Sequence, residues 1–344
     1  MPGYIIKKDE VSRIIKEKAP IILDQIKKSK SILLHCHPSP DPDSVGSALA
    51  MRFVLEQFGK EVTVISGDSK IPPEFMHFPG VSDIIGKDFF EVDLSKFDLF
   101  IVLDSASLGM ISRYGQINFP DSLSVVDIDH HISNDGYGNI NLIEPEYPAT
   151  CQILFDLFKE WGIKMNSDIA QNLFIGIYTD TLFKYDGVTA HTFDIAANLA
   201  RYIPSISKLI ALMENSDTPK NISFQGFALN SIDTFLEGRL AISSVPQSFF
   251  IEKDIKDSDI SPSDISSIMR SVAEWKISVS LIETEVNIIK VSIRSQDVGK
   301  YDVSRLATAL GGGGHRAASG AVLNMTLDDA KKLVVLKVKE LYNL

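Results

Sequence analysis

The sequence predicts an α/β protein: an N-terminal, mostly parallel, doubly wound sheet, then a smaller C-terminal α/β domain, with a cleft between the two. Three observations carry this. Short apolar strand-like runs alternate with stretches of helical periodicity from residue 9 to residue 178, the pattern of parallel strands joined by crossover helices. The pattern changes at the polar segment Asn215-Ser216-Asp217-Thr218-Pro219-Lys220, which reads as a linker. At 344 residues, the chain is too long for one small core and suits two domains.

Residues 9–29 place Val11, Ile14, Ile15, Ala19, Ile22, Leu23 and Ile26 at helical spacing. This opening helix is expected to kink or break at Pro20, which lacks the backbone N–H. Residues 31–36 form a strand, and 44–58 a helix closed by Gly59. Strands follow at 61–66, 97–103 and 124–128, with helices expected on both faces of their sheet. Residues 151–161, 168–178 and parts of 191–215 are helical. Beyond the linker, 239–245, 277–283 and 286–294 read as strands, with helices near 261–275 and 302–310. A last helix starts at Thr326, where Asp329 three residues on completes a capping signal. The expected divisions are 1–197, a helical and polar linker at 198–222, and 223–344.

Apolar content of 44% and charged content of 23% are ordinary for a globular protein. No stretch approaches the roughly 18–20 consecutive apolar residues that cross a bilayer, and no secretory signal is visible at the start. The two cysteines, Cys36 and Cys151, cannot build a disulfide framework. A cytoplasmic protein without a membrane partner is expected. The net charge of −11, with no run of basic residues, argues against long nucleic acids and for short phosphate substrates.

Four segments deliver histidine and aspartate from the ends of apolar stretches. They are His37-Pro38-Ser39-Pro40-Asp41-Pro42-Asp43, then Asp104, then Asp129-His130-His131, then Asp180. Hard divalent cations take oxygen ligands, and manganese, iron and zinc also accept imidazole. The three prolines stiffen the first loop. In open α/β sheets ligands gather beyond the carboxyl ends of strands, where this loop, Asp104 and the triplet should lie. The set is that of a two-metal site. Cys36 is read as a buried apolar thiol, because strand alternation turns it away from His35 and His37; His35 is expected behind the site.

A second constellation is Gly311-Gly312-Gly313-Gly314-His315-Arg316-Ala317-Ala318-Ser319-Gly320. Four glycines are costly in chain entropy. Backbone amides free of side chains can approach a phosphate, with His315 and Arg316 adding a donor and a charge. Arg294-Ser295 is a candidate second clamp on phosphate.

With these residues assembled, the chain resembles the DHH phosphoesterase family, named for the triplet at Asp129-His130-His131. Its C-terminal part is similar to the DHH-associated domain with its GGGGH signature, so the resemblance spans His37 to Gly320. It looks closer to the nanoRNases that also dephosphorylate adenosine 3′,5′-bisphosphate (pAp) than to the single-strand DNA exonucleases of the RecJ type. The resemblance implies two divalent ions, manganese foremost, with magnesium or another metal as substitute. His37, Asp41 and Asp104 would hold one; Asp43, Asp104, His130 and Asp180 the other, with Asp104 bridging. Asp129 would orient imidazole and His131 touch substrate phosphate, making Asp104, Asp129 and His131 the catalytic group.

The implied reaction is hydrolysis of short oligonucleotides to mononucleotides, and of pAp to AMP, by a water activated between two metals. Residues 1–197 would be the catalytic domain and 223–344 the substrate-binding one, using Arg294, Ser295, Gly313, Gly314 and His315. A homodimer is compatible with this reading. Leu182 departs from the family's Thr-Asp-Thr-Gly pattern, which puts the loop after Asp180 in question. A RecJ-like exonuclease is the rival enzyme and should carry a basic strand-tracking groove. A nucleotide-binding regulator on the same scaffold should have lost ligands, yet all six ligand positions are present.

Overall fold

The computed structural model describes residues 11–344, apart from residues 68, 185, 186, 215–217, 261 and 315. The chain divides into two compact units, Met1–Ser216 and Asp217–Leu344.

The first unit holds five parallel strands: β1 (Ser31–His35), β2 (Glu61–Ile65), β3 (Leu99–Leu103), β4 (Ser124–Asp129) and β5 (Ile140–Ile143). Their order is β2-β1-β3-β4-β5, so the chain reverses direction across the sheet between β1 and β3. That reversal opens a crevice at the carboxyl ends of the two strands. The helices are α1 (Arg13–Lys28), α2 (Pro42–Gln57), α3 (Thr150–Glu160), α4 (Ser167–Thr181), α5 (Ala190–Ala200) and α6 (Ile206–Glu214).

Strand alternation sorts the core into two layers. Ile32, Leu34 and Cys36 join Ile15, Val45, Leu49, Leu154 and Leu173 from the helices on one side. Leu33, Phe100 and Val102 point the other way, against Phe89, Ile111, Ile117 and Leu123. Cys36 is accordingly buried on the helical side, while His35 lies against Phe100, with ring centroids 5.4 Å apart. The second layer corrects one expectation: in place of helices, the 3-10 turns Phe89–Glu91 and Leu108–Met110 and their loops cover it. Apolar residues there are too thinly spaced to make a continuous helical stripe.

A second correction concerns α1, which runs unbroken through Pro20. Ile15, Ala19, Ile22 and Ile26 are buried while Pro20 is exposed, so packing holds the helix and water can reach the freed carbonyl.

The second unit contains α7 (Pro219–Asn230), β6 (Asp233–Phe235), β7 (Leu240–Val245), α8 (Gln247–Lys253), α9 (Pro262–Met269), β8 (Ile277–Glu285), β9 (Ile288–Ser295), α10 (Val303–Ala309), β10 (Gly313–Gly314), β11 (Ala318–Asn324) and α11 (Leu327–Tyr342). The sheet runs β10-β11-β9-β8-β7-β6, with β7 and β8 its parallel pair. Val303, Leu306, Val334 and Val338 from α10 and α11 cover one face. Phe224, Phe249, Ile265 and Met269 from α7, α8 and α9 cover the other.

Of the segment read as a linker, residues 215–217 lie outside the described residues, the division between the two units falls at Ser216 and Asp217, and the remainder starts a helix. Thr218 is the N-cap of α7, its side chain accepting from the Asn221 N–H, and Pro219 occupies the first turn. Proline there is a start signal, because its missing N–H has no helical partner in any case. No helix of the described residues is long and apolar enough to cross a membrane.

Candidate metal centre

The site grows from strand ends. Asp41 is the N-cap of α2, accepting from the Ser44 N–H at 2.9 Å, so the proline-stiffened loop is locked to the helix it precedes. Asp43, in the first turn of α2, is fully buried. Its Oδ2 accepts from the Thr150 N–H at 2.6 Å and its Oδ1 from the Cys151 N–H at 3.0 Å. These are unsatisfied amides at the start of α3, a natural seat for a carboxylate. Gly176 on α4 makes room, because a Cβ there would overlap Cys151 Sγ and lie 2.6 Å from Asp43 Oδ1.

Asp104 follows β3 with φ of 52°, in the left-handed region that aspartate tolerates better than most residues. The Thr150 hydroxyl donates to its Oδ1 at 3.1 Å. Asp104 Oδ2 lies 3.6 Å from His37 Nε2, and Oδ1 lies 3.5 Å from His130 Nε2. His37 Nε2 is also 3.4 Å from Asp41 Oδ2, and His130 Nε2 is 3.8 Å from Asp180 Oδ2. The ligand atoms fall into groups within 4.8 Å of one another, among them His37–Asp41–Asp104 and Asp43–His130–Asp180. All six candidate ligands predicted from the sequence are thus brought together.

Both imidazoles are turned for ligation. His37 Nδ1 is 3.0 Å from the Pro38 carbonyl and His130 Nδ1 is 3.3 Å from the Tyr147 carbonyl, so each can donate there and present Nε2 to the carboxylates. Among the described residues these carboxylates form ion pairs with histidines. Protons held in the cluster offset part of its negative charge. Burial opposes a charged His37, yet Asp41 and Asp104 outweigh it and lift its pKa to about 9. His130 rises to about 10 against the same opposition, driven by Asp104 and Asp43. Burial and then the Asp104 charge push Asp43 up to about 7, and burial with Asp43, Asp41 and Asp104 pushes Asp180 well above the carboxylate range. A divalent cation could take the place of those protons, and this oxygen and imidazole donor set fits one in each group.

Asp129 and His131 pair with each other beside Asp104, whose Oδ1 lies 3.8 Å from His131 Nδ1. Asp129 Oδ1 lies 2.7 Å from His131 Nδ1 and accepts from the His130 and His131 N–H groups at 2.8 and 3.2 Å. Asn134 Nδ2 donates to the other oxygen at 2.8 Å. Burial would raise the Asp129 pKa, but these bonds hold it below the usual carboxylate range. Burial likewise opposes a charged His131, but the bond to Asp129 raises its pKa. Asn134, Thr150, the Tyr147 carbonyl and Gly176 were not singled out from the sequence. A helix start at Thr150 was the one legible signal among them.

Asp180 lies in the last turn of α4, and Leu182 caps that helix with φ of 42°. The residue in the family's glycine position thus adopts a backbone that glycine takes at no cost. In the second unit, Arg294 and Ser295 end β9, with Arg294 opposite Ala318 of β11. Gly313 and Gly314 pair with Gly320 and Ser319. A Cβ on Gly312 would overlap the Gly320 carbonyl oxygen, and one on Gly314, at φ of 133°, would lie 2.7 Å from Ser319 Cα. Sheet packing therefore demands these two glycines. Gly313 alone within β10 has nothing within 4 Å of a Cβ. His315 lies outside the described residues.

The chain is similar to known proteins in both sequence and fold. The N-terminal domain of the DHH family matches residues 31–177, which takes in His37, Asp41, Asp43, Asp104 and the triplet, with Asp180 just beyond. The chain is 29% identical over 331 residues to the bifunctional oligoribonuclease and PAP phosphatase NrnA of Thermus thermophilus, covering 94% of each. It is 27% identical over 315 residues to the protein of the same name from Bacillus subtilis, covering 88% of this chain and 92% of that one. Among solved structures, an exopolyphosphatase-related protein from Bacteroides fragilis superposes with a TM-score of 0.85 at 23% identity, covering 98% of this chain and all of the other. RecJ from Thermus thermophilus in complex with Mn2+ shares the fold at a TM-score of 0.52 and 14% identity, covering 96% of this chain and 56% of that one. The Asp-His-His triplet, the parallel sheet and these matches identify residues 31–177 as an N-terminal domain of the DHH family.

Proposed function

We propose that the protein is a metal-dependent phosphoesterase that cuts short oligonucleotides, dinucleotides included, to mononucleotides and converts pAp to AMP. Two divalent cations, manganese foremost, would lie around Asp104. The observation that carries this reading is the division of one carboxylate: Asp104 turns Oδ2 toward His37 and Oδ1 toward His130, facing both ligand groups at once. The activities are those for which the Thermus and Bacillus relatives are named. A mixed oxygen and imidazole donor set supports manganese over calcium or magnesium.

Such cations, when bound, supply Lewis acidity to a phosphoryl oxygen and lower the pKa of a water. The chain's own groups divide the remaining work. His37 and Asp41 hold one position with Asp104; Asp43, His130 and Asp180 hold the other with it. Thr150 steadies Asp104 through its hydroxyl and Asp43 through its amide. Asp129 accepts from His131 Nδ1, favouring the charged ring, and His131 Nε2–H would donate to a phosphoryl oxygen as charge builds there. Residues 1–197 would be the catalytic domain. Arg294, Ser295, Gly313, Gly314 and His315, within 223–344, would bind the substrate. The net charge of −11 disfavours long polyanions, whose binding depends on many phosphate contacts. A cytoplasmic location belongs to the same proposal and is supported by two free, buried thiols.

The test is a length series of labelled RNA and DNA, with pAp, in the presence of manganese. We expect kcat/KM to be highest for dinucleotides and pAp and to fall steeply by strands of roughly ten nucleotides. Equal or rising efficiency with length would replace this reading with a RecJ-like exonuclease. Binding without turnover would replace it with a nucleotide-binding regulator.

A further inference from the structure

The loops after β2 and β3 form a second feature beside the metal cluster. They line an open cavity of about 500 Å³, with Lys70, Gly86, Asp88, Phe90 and Tyr114 among its walls. That volume lies within the usual range for small-molecule sites. The cavity is anchored to the sheet, because Ile85 bridges Ile65 and the Ser66 N–H donates to the Ile85 carbonyl at 3.0 Å. It is tied to the metal loop as well. Ser69 Oγ accepts from the Ser39 N–H at 2.8 Å, and Ser39 lies between His37 and Asp41. Arg113 donates to the same oxygen at 3.1 Å.

The lining is chemically particular. Phe90 is 49% and Tyr114 is 73% exposed, so two aromatic side chains that burial would otherwise remove from water stand at one opening. Phe90 is braced: Phe89 meets it edge-on at 5.7 Å, and a Cβ on Gly115 would lie 3.1 Å from its Cζ. Asp88, only 4% exposed, uses Oδ1 to accept from the Phe90 N–H at 2.9 Å, while Oδ2 is buried without a hydrogen-bond partner. An unsatisfied buried carboxylate oxygen is costly and calls for an N–H donor. Lys70 adds an exposed cation at the rim. Ring surface, a demand for N–H groups and a nearby cation together match a nucleotide.

We propose that this cavity receives a nucleobase of the substrate, stacked on Phe90 and Tyr114 with its N–H edge toward Asp88, while the attached phosphate lies at the metal cluster. The proposal rests on the phosphoesterase reading. It places base recognition on the same sheet edge as the chemistry, in loops that carry none of the metal ligands beyond Asp104.

Two variants test it. A Cβ on Gly86 meets no atom within 4 Å, so Gly86→Leu starts from open space and adds bulk at the cavity. Tyr114→Ala removes an exposed ring and leaves the core intact. KM and kcat are measured with manganese for a dinucleotide and for its abasic analogue, beside metal stoichiometry and thermal unfolding. Each variant should raise the dinucleotide KM roughly tenfold, in line with the loss of one base–aromatic stack, and the abasic KM far less. An unchanged dinucleotide KM in both variants overturns the proposal, and so does an equal rise on the abasic substrate. If the wild type hydrolyses neither compound, the phosphoesterase reading fails on its own. Calorimetric binding of the dinucleotide to wild type and to Gly86→Leu then decides the cavity separately, with equal affinities overturning it.

Discussion

The carboxyl edge of the first sheet and the glycine-rich edge of the second are built by opposite means. At the first, charged side chains are driven inward and over-determined. Asp43 takes two backbone amides, Asp129 takes two amides and an imidazole, and Asp104 takes a hydroxyl while standing between two histidines. At the second, side chains are removed. Gly312 and Gly314 are needed because β10 and β11 approach too closely for a Cβ, and Gly313 leaves the surface open. Buried charge must be held from many directions or it neutralises itself, whereas a backbone site needs only absence of bulk. The first design should therefore fail abruptly when altered, and the second by degrees.

The largest effect is expected at Asp104. Asp104→Ala removes the carboxylate that faces both ligand groups, and turnover should fall by more than the roughly 10²–10³-fold typical of losing one transition-state contact. Metal analysis should show loss of most bound manganese, and chelation of the wild type should reproduce the rate. Two full equivalents of metal in the variant would break the comparison at its strongest point.

Gly176→Ala comes next. The added methyl must displace Asp43 or Cys151, so overpacking should cost about 1–3 kcal/mol of stability and metal affinity should fall with it. Urea unfolding and metal titration of the same sample check both effects. Retained affinity with lowered stability would mean that Asp43 is not required for the second ligand group.

A pair of substitutions sharpens the contrast at the other edge. Gly312→Ala should destabilise by about 1–3 kcal/mol, because its Cβ has nowhere to go. Gly313→Ala should leave unfolding within about 0.5 kcal/mol of wild type and act instead on KM for the dinucleotide. If both lower stability alike, Gly313 is structural and the open surface has no ligand role.

The smallest effect concerns Leu182. Leu182→Gly should raise stability by about 0.5–1 kcal/mol, since an L-residue with a side chain is disfavoured in the left-handed region, where Leu182 sits at φ of 42°. Thermal unfolding measures it, and a fall would show that the leucine side chain contributes more packing than its backbone costs.

Much of the site was legible because metal ligation restricts residue type. Carboxylates and imidazoles are the side chains suited to divalent cations, and the motifs that carry the family resemblance supplied the positions, so His37, Asp41, Asp43, Asp104, His130 and Asp180 could be named as candidates from the sequence. The groups that position them were not legible. Tyr147 acts through its carbonyl and Cys151 through its amide, and backbone groups are the same in every residue. Misreadings had the same origin. Pro20 looked like a kink or a break, yet a buried face carries α1 through it unbroken, and the helices expected on the second face of the sheet give way to turns because apolar residues there are thinly spaced.

The sequence by itself indicated the parallel sheet, the candidate ligands and the resemblance to a family, because alternation of apolar runs and the chemistry of donors are local properties. Only the tertiary structure decided which oxygen of Asp104 meets which histidine, why Gly176 cannot carry a side chain, and how loops from two strands meet around the Phe90 and Tyr114 cavity. These depend on distances between segments far apart in the chain, and such distances are set by how the helices and loops pack on the sheet.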